Sequence, residues 1–162
     1  MTITEKDDFL QCAALELCEL GFSIIPIKPE DKTPLVPWSK YQENAATVGQ
    51  VEQWWDKYQN ANIGILTGEI VVIDADSMTA AAWVADNLTP TPWTVATARG
   101  AHFYYRCAKG DKWQNGAGIR DGVDIRGVGG YVVAPPSIHK TGVLYEWYKQ
   151  PGADSIEELP EL

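Results

Sequence analysis

The stretch Ile70-Val71-Val72-Ile73-Asp74-Ala75-Asp76-Ser77 carries the most information about the fold. Its β-branched residues predict a buried strand over 70–75. Ser77 is a suitable N-cap for a short Ala-rich helix over residues 78–87. Because successive side chains of a strand point to opposite faces, Asp74 and Asp76 are predicted to project from the same face at the strand end.

Two like charges in this arrangement have two interpretations. They raise one another's pKa unless a cation lies between them, and a hard divalent ion such as Mg²⁺ or Mn²⁺ is the usual partner. Alternatively, the segment is a solvated turn in which Asp76 or Ser77 caps the following helix. These residues alone favour the two interpretations about equally.

A second acidic strand is predicted over residues 123–126, within Gly122-Val123-Asp124-Ile125-Arg126-Gly127. Alternation places Asp124 and Arg126 on one face. A third carboxylate beside Asp74 and Asp76 would complete a site for one or two metal ions, and Arg126 could bind a phosphate. The alternative is an Asp124–Arg126 pair on a solvated face, which contributes little to stability.

Three further residues are candidates for binding phosphate. Two predicted strands flank Arg99-Gly100, so a turn here could bring backbone amides, Arg99 and His102 to a polyphosphate. An isolated histidine is, however, more often structural than catalytic. Lys32 lies in a proline-containing loop, where a solvated charge is the favoured interpretation and a phosphate contact is the alternative.

The remaining pattern predicts an α+β protein with a largely antiparallel sheet. Apolar residues at helical spacing predict amphipathic helices over 10–20 and 51–58. Short strands are predicted at 22–27, 62–66, 94–98, 101–106, 131–134 and 143–148. The glycine-bearing segment 107–122 is predicted to be an irregular loop.

Length and composition limit the class of protein. The 162 residues carry 13 Lys and Arg against 22 Asp and Glu, a net charge of −9, which argues against a passive coat for nucleic acid. We expect one catalytic domain over 1–148, followed by an acidic tail, 149–162, that ends the domain or begins a linker. No membrane span or export signal is recognised, and three unpaired cysteines favour a reducing, cytoplasmic location.

Six motifs occur in an order typical of one family. They are Lys32-x-Pro34-x-x-x-Trp38, Asn62-Ile63-Gly64-Ile65-Leu66-Thr67-Gly68, Asp74-x-Asp76, Gly100-Ala101-His102, Gly122-Val123-Asp124-Ile125-Arg126-Gly127 and Gly129-Gly130-Tyr131-Val132-Val133-Ala134-Pro135-Pro136-Ser137. Over about residues 9–148 the chain resembles the bifunctional DNA primase/polymerase N-terminal (prim-pol) domain of the archaeo-eukaryotic primase superfamily. Ser is frequent at the first position of the family's small-x-His motif, where this chain has Gly100.

The resemblance implies an RRM-like catalytic sheet packed with an N-terminal α/β portion. It implies DNA-templated nucleotidyl transfer, with NTPs or dNTPs, in the replication of a plasmid, phage or integrated element. Asp74, Asp76 and Asp124 would hold Mg²⁺ or Mn²⁺ in a two-metal mechanism, and His102 would contact the triphosphate. Arg126, Arg99 and Lys32 would add phosphate contacts. Single-stranded DNA template would be a partner, with a helicase domain or protein as a further one.

Two other functions remain open at this point. A strand ending in D-x-D also resembles the nucleophile motif of haloacid-dehalogenase-like phosphatases, with Asp74 as nucleophile and Asp76 as acid/base. That function requires a parallel, Rossmann-like sheet, which the hairpin pattern after residue 90 disfavours. The third hypothesis is a non-catalytic module that binds single-stranded DNA or nucleotides through aromatic side chains.

Overall fold

The structure is a computed structural model that describes residues 3–148, 152 and 154–162, with side chains from residue 8 onward. The α-helices are α1 (Ile3–Leu20), α2 (Val48–Lys57) and α3 (Met78–Asn87). The strands are β1 (Ile24–Ile27), β2 (Asn62–Leu66), β3 (Ile70–Ala75), β4 (Thr94–Ala96), β5 (Ala101–Arg106), β6 (Gly116–Arg120), β7 (Val123–Arg126), β8 (Tyr131–Ala134) and β9 (Glu146–Trp147). Short 3₁₀ helices span Ser39–Gln42 and Ile156–Glu158. The predicted α+β class is confirmed.

The strands form two antiparallel sheets. One has the order β1-β2-β8, and the other has the order β6-β7-β3-β5-β4-β9. Strand β3, which carries the acidic motif, therefore lies between β5 and β7 with an antiparallel neighbour on each side. The phosphatase hypothesis required a parallel sheet around this strand, and the topology contradicts it.

Local sequence signals explain where the central elements begin. The Ser77 side chain accepts a hydrogen bond from the backbone N–H of Ala80 and so caps α3 as predicted. Thr47 caps α2 in the same way, accepting from the N–H of Gln50. Each cap satisfies an N–H group that has no partner within its own helix.

The two faces of β3 have different surroundings. On one face, Val71, Ile73 and Ala75 are buried in a core that includes residues of α3. On the other, Ile70 and Val72 belong to a larger core that includes residues of α1, α2 and the three-stranded sheet. Asp74 is the next residue on this second face, so the charged part of the strand begins where the apolar core ends.

Two segments make contacts that no sequence motif indicated. Strand β6 forms within the segment predicted to be an irregular loop, and it pairs with β7 at the sheet edge with a shift in register. Near the C-terminus, Leu159 is buried in the larger core, and the backbone N–H of Arg106 donates to the carbonyl of Pro160. Among the residues that the structure describes, no helix has the length and apolar character needed to cross a membrane.

Candidate active site

Strand register brings the acidic motifs together. Asp74 on β3 lies directly opposite Asp124 on β7 and directly opposite His102 on β5. Directly opposed residues in an antiparallel pair point to the same face. The structure therefore places three of the predicted site residues side by side across three adjacent strands, a pairing that the sequence left open.

Arg126 links the two carboxylates. Its Nη2 atom lies 3.1 Å from Asp74 Oδ2 and 3.2 Å from Asp124 Oδ2, so one guanidinium nitrogen donates to both side chains. His102 Nε2 lies 3.4 Å from Asp74 Oδ1. The other oxygen of Asp124 accepts a hydrogen bond of 2.7 Å from the backbone N–H of Gly118, on β6. The strand that sequence analysis missed thus helps to fix Asp124.

These contacts determine the charge state of Asp74. Burial alone would raise its pKa, but the hydrogen bond and charge of His102, together with those of Arg126, outweigh burial and lower the pKa to about 2. The carboxylate is consequently ionised at neutral pH although its side chain is only 22% exposed. A buried charge of this kind is stable only with close partners.

In the described part of the chain, Asp76 takes no part in the ion pairs that join Asp74, Asp124, Arg126 and His102. It follows the last residue of β3 and is exposed, and its backbone N–H donates to the carbonyl of Gly122. Its side chain packs closely against Gly122: a Cβ atom added to Gly122 would lie only 2.5 Å from Asp76 Oδ1. Within the described part of the chain, no three or more His, Cys, Asp or Glu side chains converge on one possible metal position.

The site opens into a cleft of about 220 Å³. Its lining residues come from both sheets and the loops between them: Lys32, Asp74, His102, Asn115, Arg126, Gly129, Gly130, Tyr131, Val132, Val133 and Tyr145. Lys32 is held at this opening through its backbone, because its carbonyl accepts a hydrogen bond from the Tyr131 hydroxyl. Arg99 lines a neighbouring, larger cleft that also includes Lys32.

Two cleft residues had no signal in the sequence. Tyr145 is buried, and burial together with the negative charge of Asp74 raises the pKa of its phenol. Asn115 comes from the glycine-bearing segment before β6. Neither belongs to a recognisable motif, because each reaches the cleft through packing between segments distant in sequence.

Two buried polar side chains near the acidic centre are His102 and Tyr104. His102 Nδ1 and Tyr104 Oη are buried and have no hydrogen-bond partner among the residues that the structure describes. Leaving a buried donor or acceptor unpaired costs about 1–3 kcal/mol. Tyr104 lies close enough to Asp74 for that charge to add to burial in raising the pKa of its phenol. The site therefore contains buried polar atoms in addition to those that pair with one another.

Fold and site together define an α+β protein in which a carboxylate, a guanidinium and an imidazole line a cleft beside an antiparallel sheet, with a second carboxylate bound to the same guanidinium. The family model for bifunctional DNA primase/polymerase, N-terminal, matches residues 14–162, and the chain belongs to this family. A search of curated proteins found no match.

Family membership gives the general function. The chain is a primase/polymerase-type protein and, as such, a nucleotidyltransferase-type enzyme that acts with DNA and nucleotides. The family generally uses divalent metal ions.

Proposed function

We propose that this protein catalyses DNA-templated nucleotidyl transfer in the replication of a plasmid, phage or integrated element, with a helicase domain or protein as its partner. The observation that carries the chemistry is the direct opposition of Asp74 and Asp124, whose oxygens share one cationic nitrogen. Metal-dependent phosphoryl chemistry needs carboxylates arranged around a position that a cation can fill. We propose Asp74, Asp76 and Asp124 as the residues that hold Mg²⁺ or Mn²⁺ in a two-metal mechanism.

The oxygens of Asp74 and Asp124 fit such ions, while Asp76 is assigned from the sequence motif. Mg²⁺ and Mn²⁺ prefer carboxylate oxygens, and two carboxylates here are already close enough to share a donor. When bound, the metal ions would activate a 3′-hydroxyl and stabilise the leaving pyrophosphate. Arg126 now lies between the same two oxygens, so the guanidinium and a divalent ion would compete for this position.

The cationic residues of the cleft have proposed roles in nucleotide binding. His102 lines the cleft beside Asp74 and is proposed to contact the triphosphate. Arg126 can bind phosphate through its planar guanidinium. Lys32, exposed at the opening, can add a further charge to the same group. Arg99 remains a predicted phosphate contact, although it lies in the neighbouring cleft.

Primer extension tests the proposed function directly. We expect the wild-type protein to extend a labelled DNA primer on a DNA template with Mg²⁺ or Mn²⁺, and to stop when the metal is chelated. Parallel reactions with NTPs and dNTPs would identify the preferred nucleotide. No extension under any of these conditions, together with no metal-dependent nucleotide binding, would contradict the proposal.

Replacing Arg126 with Gln tests whether its guanidinium competes with the metal ion. We expect Arg126→Gln to bind Mn²⁺ about fivefold more tightly without nucleotide, about 1 kcal/mol, because the competing positive charge is lost. We also expect triphosphate binding to weaken about tenfold, as loss of a charge-assisted hydrogen bond implies. Electron paramagnetic resonance of free Mn²⁺ and fluorescence binding of a labelled nucleotide would measure the two effects.

Arg120→Gln is the matched control for this measurement. Arg120 is an exposed arginine of the same sheet whose guanidinium lies over the Trp83 ring, 4.4 Å from its centroid. The Arg120→Gln substitution makes the same change in net charge as Arg126→Gln, but at a residue that does not line the site cleft. Equal Mn²⁺ affinities for the two variants would show that Arg126 does not compete for the carboxylate position.

A further inference from the structure

A second and larger cleft adjoins the site. It has a volume of about 950 Å³ and shares two wall residues, Lys32 and Tyr145, with the site cleft. Its other lining residues are Glu30, Asp31, Ala98, Arg99, His139, Lys140, Thr141 and Val143. The two clefts are therefore adjacent, and Lys32 and Tyr145 form the wall between them.

Three exposed cationic side chains line this second cleft. Lys32, Arg99 and Lys140 are exposed, and among the residues that the structure describes none of the three forms an ion pair. Two acidic residues, Glu30 and Asp31, also line this cleft. Asp31 uses one oxygen for hydrogen bonds from the loop itself, accepting from the N–H groups of Lys32 and Thr33. Its other oxygen pairs with Lys28 at 3.6 Å.

His139 lines the same cleft as the three cations. Burial lowers its pKa, and the charges of Lys32, Lys140 and Arg99 lower that pKa further, so all three cations act on one imidazole. The Thr141 N–H donates to His139 Nδ1. In its neutral form the ring therefore carries its proton on Nε2, which leaves that nitrogen as the donor.

Apolar surface lies beside the cations. This surface is provided by Val143, which is 45% exposed, whereas Tyr145 forms a buried part of the wall. Proteins that bind single-stranded nucleic acid commonly combine a cationic groove with aromatic or apolar surface against which bases can pack. A triphosphate alone needs only the charges, and the site cleft already offers cations for it. The size of the cleft and its lining of both cationic and apolar side chains thus favour a ligand longer than a triphosphate.

We propose that the cleft between Lys32, Arg99 and Lys140 binds the phosphodiester backbone of a nucleic-acid strand and leads it past Tyr145 to the site. This assignment rests on the proposed function, because it gives the adjoining site its strand substrate. Lys32 and Arg99 are also proposed phosphate contacts of the incoming nucleotide, so Lys140 and His139 are the residues of this cleft assigned to the strand alone.

Lys140→Gln, compared with Lys57→Gln, tests the assignment. Lys57 is an exposed lysine at the end of α2 and lines neither cleft. We expect Lys140→Gln to weaken binding of a labelled oligothymidylate several-fold and to reduce the slope of log affinity against log salt by about 0.7, the value for one lost contact to a single strand. Lys57→Gln should leave the slope unchanged. Fluorescence anisotropy over a range of salt concentrations measures both.

A second measurement separates this inference from the proposed function. Mn²⁺-dependent binding of a labelled nucleotide is expected to be the same in Lys140→Gln and wild type. Equal losses of oligonucleotide affinity in the Lys140 and Lys57 variants would overturn the assignment, because only net charge would matter. Loss of nucleotide binding with intact oligonucleotide binding would also overturn it. If wild type binds no nucleotide but its oligonucleotide binding still depends on Lys140, the strand site stands and the proposed function fails.

Discussion

Asp74→Asn is expected to lower the rate of primer extension by roughly a thousandfold, the scale observed when a preorganised electrostatic group is removed from an active site. Asn has nearly the shape of Asp but no charge, so the change removes the ionised oxygen that faces Arg126 and His102. Asp74 is also one of the residues proposed to hold the metal ions. Single-turnover extension of a labelled primer at saturating nucleotide would measure the loss.

The control is Asp86→Asn, an equal change in charge at an exposed position of α3. Its extension rate should equal that of wild type. The non-catalytic hypothesis makes the opposite prediction for Asp74: its substitution would leave DNA affinity and every measured function unchanged. That result would replace the proposed enzyme with a binding module.

Folding of the Asp74 variant must be measured beside its activity. The pKa of Asp74 is lowered from 3.8 to about 2 in the folded protein, so its ionised form adds stability at pH values above the unfolded pKa. The difference corresponds to about 2 kcal/mol at neutral pH, and it is lost as the pH falls through the folded pKa. Urea unfolding at neutral and acidic pH would show whether the variant remains folded under assay conditions.

The local chemistry of the site was largely predictable because it depends on short segments. The β-branched run predicted β3, and alternation along residues 123–126 placed Asp124 and Arg126 on one face. A direct Asp124–Arg126 contact was one of the two interpretations for that strand, and it is present at 3.2 Å. Each of these inferences needed no information beyond a few neighbouring residues.

The pairing of distant strands was not predictable in the same way. Register between β3 and β7 depends on how the whole chain packs, and it decides that Asp124 lies opposite Asp74. Strand β6 has the sequence Gly-Ala-Gly-Ile-Arg, which lacks an apolar alternation, so pairing with β7 rather than local preference makes it a strand. Arg126 reaches Asp74 as well as Asp124 only because both acidic strands are adjacent.

Gly100, at the position where the resemblance implies a frequent serine, lies against the backbone at the end of β3. A Cβ added at this position would overlap the carbonyl oxygen of Ala75 and lie 2.8 Å from the backbone nitrogen of Ser77. The obstacles are backbone atoms at the end of β3, which cannot turn aside as a side chain can. Gly100 therefore allows the start of β5 to approach the strand that carries Asp74.

Gly100→Ser is expected to lower the free energy of unfolding by about 3 kcal/mol or more, because the clash must be relieved by a backbone shift. The same shift would disturb the pairing that sets His102 opposite Asp74, so nucleotide binding should fall in the fraction that remains folded. Urea unfolding followed by tryptophan fluorescence, with nucleotide binding measured separately, would detect both effects.

Gly49→Ala is the matched control for a substitution at glycine. Nothing lies within 4 Å of a Cβ at Gly49, which is in the first turn of α2, and Ala is more favourable than Gly in a helix by up to about 1 kcal/mol. We expect this variant to be as stable as wild type or more so. If Gly100→Ser unfolds at the same urea concentration as Gly49→Ala, the two strands can separate at low cost. The absence of the family's serine would then have no steric cause, and the missing hydroxyl could be restored to test its part in nucleotide binding.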